Sequence, residues 1–170
     1  ISLLKTIPNI VVLAPCDAME LKIMFDYAYS LDAPCAIRYP KGTAEKSQID
    51  NNHPNISANP LVVVKSGVET LVIVVGPFVT ETKKAIESFY AEIGVVYLRV
   101  LKPLPDEELL KIILPYKNVL VIEENIFSGS ASEEIAALIS QNGLNIKFSS
   151  INIPYKFIED DTRENILSTL

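Results

Sequence analysis

Apolar residues in the first forty positions are arranged as a strand, a helix and a second strand. Residues 10–14 form an uninterrupted apolar run that Pro15 ends, as is typical of a strand buried on both faces. Asp17, followed three residues later by Glu20, predicts a helix N-terminus with a capping box. A second strand is predicted from Cys35 onward. The apolar positions at helical spacing between the strands are Leu21, Met24, Phe25 and Ala28.

Beyond residue 58 the pattern alternates between short apolar strands and amphipathic helices. The predicted strands cover residues 61–64, 70–75, 95–100, 119–122 and 146–151. The predicted helices cover residues 80–93, 106–114, 130–141 and 162–167. Such alternation predicts a mostly parallel sheet covered by helices on both faces, an α/β fold.

Three local details of this pattern carry further predictions. Ser66 and Gly67 separate the first two of these strands and indicate a hairpin. Thr80 is expected to cap the first of these helices, whose apolar stripe contains Ala85, Ile86, Phe89 and Ile93. Gly94 is expected to end that helix as a left-handed C-cap.

The segment between Pro40 and Pro60 has a different composition. It is rich in polar residues and shows no apolar periodicity, which indicates an interdomain linker. Ile49 and Ile56 are the residues that would attach it to a surface. The chain's single histidine, His53, lies here, and a solvated surface position is favoured over a catalytic one.

Charge and composition exclude several classes of function. The chain has 170 residues, a formal net charge of −6 and a sequence pI of about 4.8, so neither nucleic acid nor an anionic membrane surface is an expected partner. No apolar run is long enough to span a bilayer, and no signal peptide is expected. Cys16 and Cys35 follow no metal-ligand spacing and are expected to be reduced thiols, as in a cytoplasmic protein, with a disulfide between them as the less favoured alternative.

Candidate chemistry lies where predicted strands end, since parallel sheets bind ligands beyond their carboxyl ends. Arg38 leaves the second strand there and suits a phosphate or carboxylate, although spacing alone favours a structural salt bridge. Glu123 and Glu124 are interpreted as helix-capping residues rather than as an acid–base pair or metal ligands. The Gly/Ser-rich helix start at residues 128–132 is a weaker candidate anion site, and the acidic run at residues 159–161 a weaker cation site.

Several strings, taken in order, resemble one family. Residues 7–15 (IPNIVVLAP) resemble the pyrimidine-binding domain of transketolase-type thiamine enzymes. Further strings are similar, more narrowly, to the 1-deoxy-D-xylulose-5-phosphate synthases of that family. These are residues 36–42 (AIRYPKG), 101–104 (LKPL) with 106–107 (DE), 121–125 (VIEEN), 153–154 (IP) and 157–159 (FIE).

The resemblance implies a domain layout and makes the chain a piece of a larger enzyme. Residues 1–42 would end the pyrimidine-binding domain, residues 43–58 would form the linker, and residues 59–170 would form the transketolase C-terminal domain. That domain is a three-layer α/β/α sandwich with one antiparallel edge strand, preceded here by the partial pyrimidine-binding domain.

The resemblance also implies an activity. The full enzyme would be a homodimeric transferase of isoprenoid-precursor, thiamine and pyridoxal biosynthesis, which condenses pyruvate with glyceraldehyde 3-phosphate to 1-deoxy-D-xylulose 5-phosphate and carbon dioxide. Thiamine diphosphate carries the carbanion, with magnesium, and both would bind outside this piece. We therefore expect no catalytic residue, cofactor-binding residue or metal ligand here, and an inactive isolated chain.

Arg38 matches the family's arginine that binds the phosphate of the acceptor sugar. For Arg38 this resemblance favours phosphate binding over a structural salt bridge. The chain departs from the family's Gly-Gly-x-Gly-Ser pattern at Ser130 and Ser132, and from its Pro-Asp pattern at Tyr155. These departures keep alternatives open: another transketolase-like enzyme, or a non-catalytic C-domain protein that acts in assembly or regulation.

Overall fold

A computed structural model of the chain describes residues 1–40, 42, 55–89 and 92–169. Most of the predicted linker, with Ile49 and His53, lies outside these described residues. The helices are α1 Ser2–Lys5, α2 Ala18–Ser30, α3 Val79–Glu87, α4 Asp106–Ile113, α5 Ala131–Gln141 and α6 Arg163–Thr169. The strands are β1 Val11–Leu13, β2 Cys35–Ile37, β3 Leu61–Lys65, β4 Thr70–Val75, β5 Ile93–Leu98, β6 Val100–Lys102, β7 Asn118–Ile122 and β8 Lys147–Ile151.

The strands form two sheets. The larger has the order β3-β5-β4-β7-β8 and is parallel throughout, except that its edge strand β3 runs antiparallel to β5. The smaller has the order β2-β1-β6, with β1 parallel to β2 and antiparallel to β6. The mostly parallel sheet with one antiparallel edge is the predicted architecture.

Side-chain alternation along β4 divides the interior into two apolar layers. Leu71, Ile73 and Val75 point into a core shared with α4 and α5. Val72 and Val74 point to the opposite side of the sheet, into a core that contains residues of α2 and α3. Because β4 is buried on both faces, its sequence is continuously apolar after Thr70, and helices cover both sides. The fold is a three-layer α/β/α sandwich, as predicted.

The predicted hairpin between β3 and β4 is wrong, since both strands flank β5 instead of each other. The turn after β3 passes over the start of β5, where the Val68 amide donates to the Glu92 carbonyl at 3.0 Å. This arrangement puts the apolar strand β4 at the centre of the sheet. It leaves β3, whose Val63 is 54% exposed, at the edge.

The predicted limits of the next helix are also wrong. A 3₁₀ turn, Gly76–Phe78, leads directly into α3 at Val79, so Thr80 lies inside the helix and caps nothing. The helix ends at Glu87, and both Ile93 and Gly94 belong to β5. Gly94 therefore does not end a helix. It lies in β5, where the backbone of Gly67 approaches it closely.

The capping box predicted at the start of α2 forms only in part. The Asp17 side chain accepts from the Glu20 amide at 2.8 Å, as expected of an N-cap. The Glu20 carboxylate does not complete the box, because it pairs with Arg99. Arg99 also interrupts the strand predicted over residues 95–100, which divides there into β5 and β6.

Three smaller predictions concern single residues and membrane spans. Ile56 is fully buried and attaches the end of the polar segment to the core, as predicted. Cys16 and Cys35 are both free thiols, and burial raises the pKa of each. Within the described ranges, no helix is both long and apolar enough to cross a bilayer.

Candidate functional site

Side chains from three distant parts of the chain meet around Glu124, which follows β7. Arg38, just beyond β2, donates through Nη2 to the Glu124 backbone carbonyl at 2.8 Å and to Oε2 at 3.0 Å. Arg163, the first residue of α6, donates through Nε to Oε1 at 2.9 Å. One carboxylate therefore holds two guanidinium groups, and we name the three residues the arginine–glutamate bridge.

The turn that follows β4 supports both arginines. Gly76 has a φ of +72°, and a Cβ built on it would lie 3.2 Å from Nη1 of Arg38. Glycine is suited to this position because it adopts the left-handed conformation without penalty and leaves room for the guanidinium. Two residues later, the Phe78 ring lies under Arg163, with 5.1 Å between Cζ and the ring centroid.

The bridge retains capacity to bind an anion. Both hydrogen bonds of Arg38 to Glu124 use Nη2, and among the described residues no acceptor is hydrogen-bonded to its Nε or Nη1. The Arg38 side chain is 23% exposed, so these donors belong to a residue that solvent reaches. Two guanidinium groups against one carboxylate leave a net positive charge, which favours a phosphate.

Glu123 caps the start of α5, as predicted, whereas the same prediction for Glu124 is wrong because its carboxylate holds the two arginines. Its carboxylate is buried and accepts from the Ser132 amide at 2.7 Å, the Ser132 hydroxyl at 2.6 Å and the Ala131 amide at 3.4 Å. Ser130 caps the same helix by accepting from the Glu133 amide at 3.2 Å. Because these contacts occupy the first turn of α5, the helix start considered as an anion site is closed to a phosphate.

The acidic run before α6 also serves helix capping. Asp161 accepts from the Thr162 amide and from Asn165 Nδ2, contacts that lower the pKa of its carboxyl. The Thr162 hydroxyl accepts from the Asn165 amide at 3.3 Å, as an N-cap does. In the part of the chain that the structure describes, no three His, Cys, Asp or Glu side chains converge as metal ligands.

Sequence reasoning missed two of the arginine contacts. Arg163 was not singled out, and nothing in the local pattern connects it with Glu124, 39 residues away. The second contact is the buried pair of Arg99 with Glu20, at 2.8 and 3.0 Å. A signal for this pair existed, because Arg99 is a charged residue within the apolar run at residues 95–100.

Comparison with known proteins adds the family. Residues 60–169 match the family described as "Transketolase, C-terminal domain". The 1-deoxy-D-xylulose-5-phosphate synthase of Dictyoglomus turgidum is 35% identical over 162 residues, which cover 94% of this chain and 26% of that protein. The synthase of Dehalococcoides mccartyi is 33% identical over 165 residues, covering 94% of this chain and 25% of that protein.

A solved structure shares the fold. It is described as "Split gene transketolase, inactive beta4 tetramer", and it matches 99% of this chain and 54% of its own with a TM-score of 0.76 at 21% identity. The chain spans about a quarter of the length of the curated relatives, so the percentages of sequence identity apply only to that portion of them. With its mostly parallel sandwich and a family match over well more than half its length, the chain belongs to the transketolase C-terminal domain family.

Proposed function

We propose that this chain is part of a thiamine-diphosphate-dependent transferase that condenses pyruvate with glyceraldehyde 3-phosphate to 1-deoxy-D-xylulose 5-phosphate and carbon dioxide. In this proposal Arg38 binds the phosphate of the acceptor sugar, and the enzyme is a cytoplasmic homodimer that serves isoprenoid, thiamine and pyridoxal biosynthesis. The proposed division keeps residues 1–42 in the pyrimidine-binding domain and residues 59–170 in the C-terminal domain.

The observation that carries the proposal is that Arg38 is held in place while two of its nitrogens remain available to a ligand. Its guanidinium follows the carboxyl end of a parallel strand, is fixed through Nη2, and keeps Nε and Nη1 free of acceptors within the described ranges. A guanidinium fixed through one nitrogen loses little further freedom when it binds a phosphate. The relatives named as synthases support the same reaction, since their similarity covers 94% of the chain.

The described residues do not fit the cofactor. The start of α5 is closed by Glu123, and no set of three ligating side chains converges on a cation within those ranges. Thiamine diphosphate, with magnesium, supplies the carbanion chemistry when bound, and we place its binding residues in other parts of the enzyme. This chain then contributes the recognition and orientation of the phosphorylated acceptor.

Replacing Arg38 by alanine in the full-length enzyme tests the proposal. The variant loses a charge-assisted contact worth about 1.5–3 kcal/mol, so kcat/KM for glyceraldehyde 3-phosphate is expected to fall by about one to two powers of ten. The KM for pyruvate is expected to change much less, because the donor carries no phosphate. Arg38→Lys is expected to recover part of the loss, since it keeps the charge without the planar fork.

A matched control is Lys117→Ala, which removes one positive charge from an exposed ion pair just before β7, at the opposite end of that strand. It is expected to leave both substrates unaffected. Equal losses for pyruvate and the acceptor in Arg38→Ala, together with a lowered melting temperature, would show that the pair with Glu124 is only structural.

The isolated 170-residue chain is expected neither to bind thiamine diphosphate tightly nor to consume pyruvate. The reason is that Glu123 occupies the start of α5 and that no three ligating side chains converge on a cation within the described ranges. Titration calorimetry with thiamine diphosphate and Mg²⁺ measures this directly. Saturable binding with a dissociation constant of about 1 µM would contradict the assignment of the cofactor site to other parts of the enzyme.

A further inference from the structure

Helix α6 is joined to Arg38 through one shared partner. Arg163 holds Oε1 of Glu124 at 2.9 Å, while Arg38 holds Oε2 at 3.0 Å. The Glu124 side chain is only 12% exposed, so both contacts are largely shielded from water and are stronger than a surface ion pair. A carboxylate held at both oxygens cannot rotate, and its position fixes the Arg38 guanidinium.

The placement of Arg163 is hard to explain as a simple gain in stability. Its Nη2 is buried, and within the described part of the chain it has no hydrogen-bond acceptor. A buried donor without an acceptor costs free energy. The residue is nevertheless held in place by the Phe78 ring and by the hydrogen bond from its Nε to Glu124.

One turn sets the geometry of both arginines. Gly76 lies against Nη1 of Arg38, and Phe78 lies against Arg163, so the turn after β4 contacts both guanidinium groups. Glu124 contacts both as well, from the end of β7. Each arginine is therefore fixed by the turn after β4 and by Glu124. Loss of one arginine alters the position of the other through their shared contact with Glu124.

We propose that Arg163 is a positioning residue for the acceptor-phosphate site. It occupies one oxygen of Glu124, which limits that carboxylate to a single contact with Arg38 and keeps Nε and Nη1 of Arg38 for the phosphate. Without Arg163, both oxygens of Glu124 compete for Arg38. This inference rests on the proposed function, in which Arg38 is the phosphate ligand.

The test compares Arg38→Ala, Arg163→Ala, Arg163→Lys and the double alanine variant in the full-length enzyme. Arg163→Ala is expected to raise the KM for glyceraldehyde 3-phosphate about tenfold, a typical coupling between contacting residues. The KM for pyruvate and the rate with unphosphorylated glyceraldehyde are expected to stay near the parent values. Arg163→Lys is expected to recover part of the loss, and the double variant to be no worse than Arg38→Ala.

Asn165→Ala separates positioning from a general loosening of α6. It removes the hydrogen bond to Asp161 at the start of the helix without touching the arginine–glutamate bridge, and it is expected to leave the acceptor KM unchanged. The inference is overturned if Asn165→Ala raises that KM as much as Arg163→Ala, if Arg163→Ala leaves it unchanged, or if the two arginine effects simply add. An unchanged acceptor KM in Arg38→Ala overturns the proposed function itself.

Discussion

Replacing Glu20 by methionine is expected to lower the free energy of unfolding by about 3–5 kcal/mol, because it removes the carboxylate that pairs with a buried guanidinium. Arg99 is fully buried, and Glu20 is 3% exposed. Two hydrogen bonds join them, from Nε to Oε2 at 2.8 Å and from Nη2 to Oε1 at 3.0 Å. The third nitrogen, Nη1, donates to the Asn59 carbonyl at 3.0 Å, which does not replace the lost charge.

The same pair is not expected to be a net source of stability. Burial raises the pKa of the Glu20 carboxyl, and the opposing effect of Arg99 is smaller, so desolvation outweighs the attraction of the guanidinium. Replacing both residues by methionine removes both charges and keeps the apolar volume. The double variant is therefore expected to be more stable than either single variant.

Urea unfolding of the 170-residue chain, followed by circular dichroism, gives the four free energies of this double-mutant cycle. For a chain of this length the single variants should melt roughly 6–20 °C below the parent. The exposed pair of Glu69 with Lys117 is the matched control, and replacing both by methionine should leave the stability close to that of the parent. Strictly additive losses in the cycle would show that Glu20 and Arg99 do not interact in solution.

Local rules gave the elements of the fold, and contacts between distant residues account for the errors. The apolar run of β4 and the capping residue Asp17 depend on neighbours within a few positions, and the sequence predicts both correctly. Glu20 satisfies the local capping-box spacing equally well. Its actual partner lies 79 residues away, and no local rule weighs an ion pair against a cap.

The candidate site shows the same limit. The position of Arg38 at the end of a parallel strand could be predicted, because strand ends in parallel sheets are recognisable from apolar runs. Its partner Glu124 lies 86 residues away, and the contact between them depends on how the two sheets meet. A glycine such as Gly76 indicates a turn. The sequence does not show that this turn accommodates the Arg38 guanidinium.

Gly67 lies in the turn that was wrongly predicted to join β3 and β4 as a hairpin, and it gives the second large prediction. A Cβ built on Gly67 would overlap the backbone nitrogen of Gly94 and would lie 2.6 Å from the carbonyl carbon of Ile93. Both atoms are backbone of β5, which pairs with β3 on one side and β4 on the other. No side chain can move to relieve the overlap, so the turn or the central strands must shift.

Gly67→Ala is therefore expected to lower the free energy of unfolding by about 3 kcal/mol or more, and the melting temperature by roughly 6–12 °C. Two controls separate overlap from other effects of adding a methyl group. Gly143 has a φ of +62° with no atom within 4 Å of a built Cβ, so Gly143→Ala tests left-handed strain alone and should cost about 1–2 kcal/mol. Ser66→Ala, at the exposed neighbouring position, should change the stability by less than about 0.5 kcal/mol. A loss in Gly67→Ala no larger than that in Gly143→Ala would show that the close approach of Gly67 to β5 does not exist in solution.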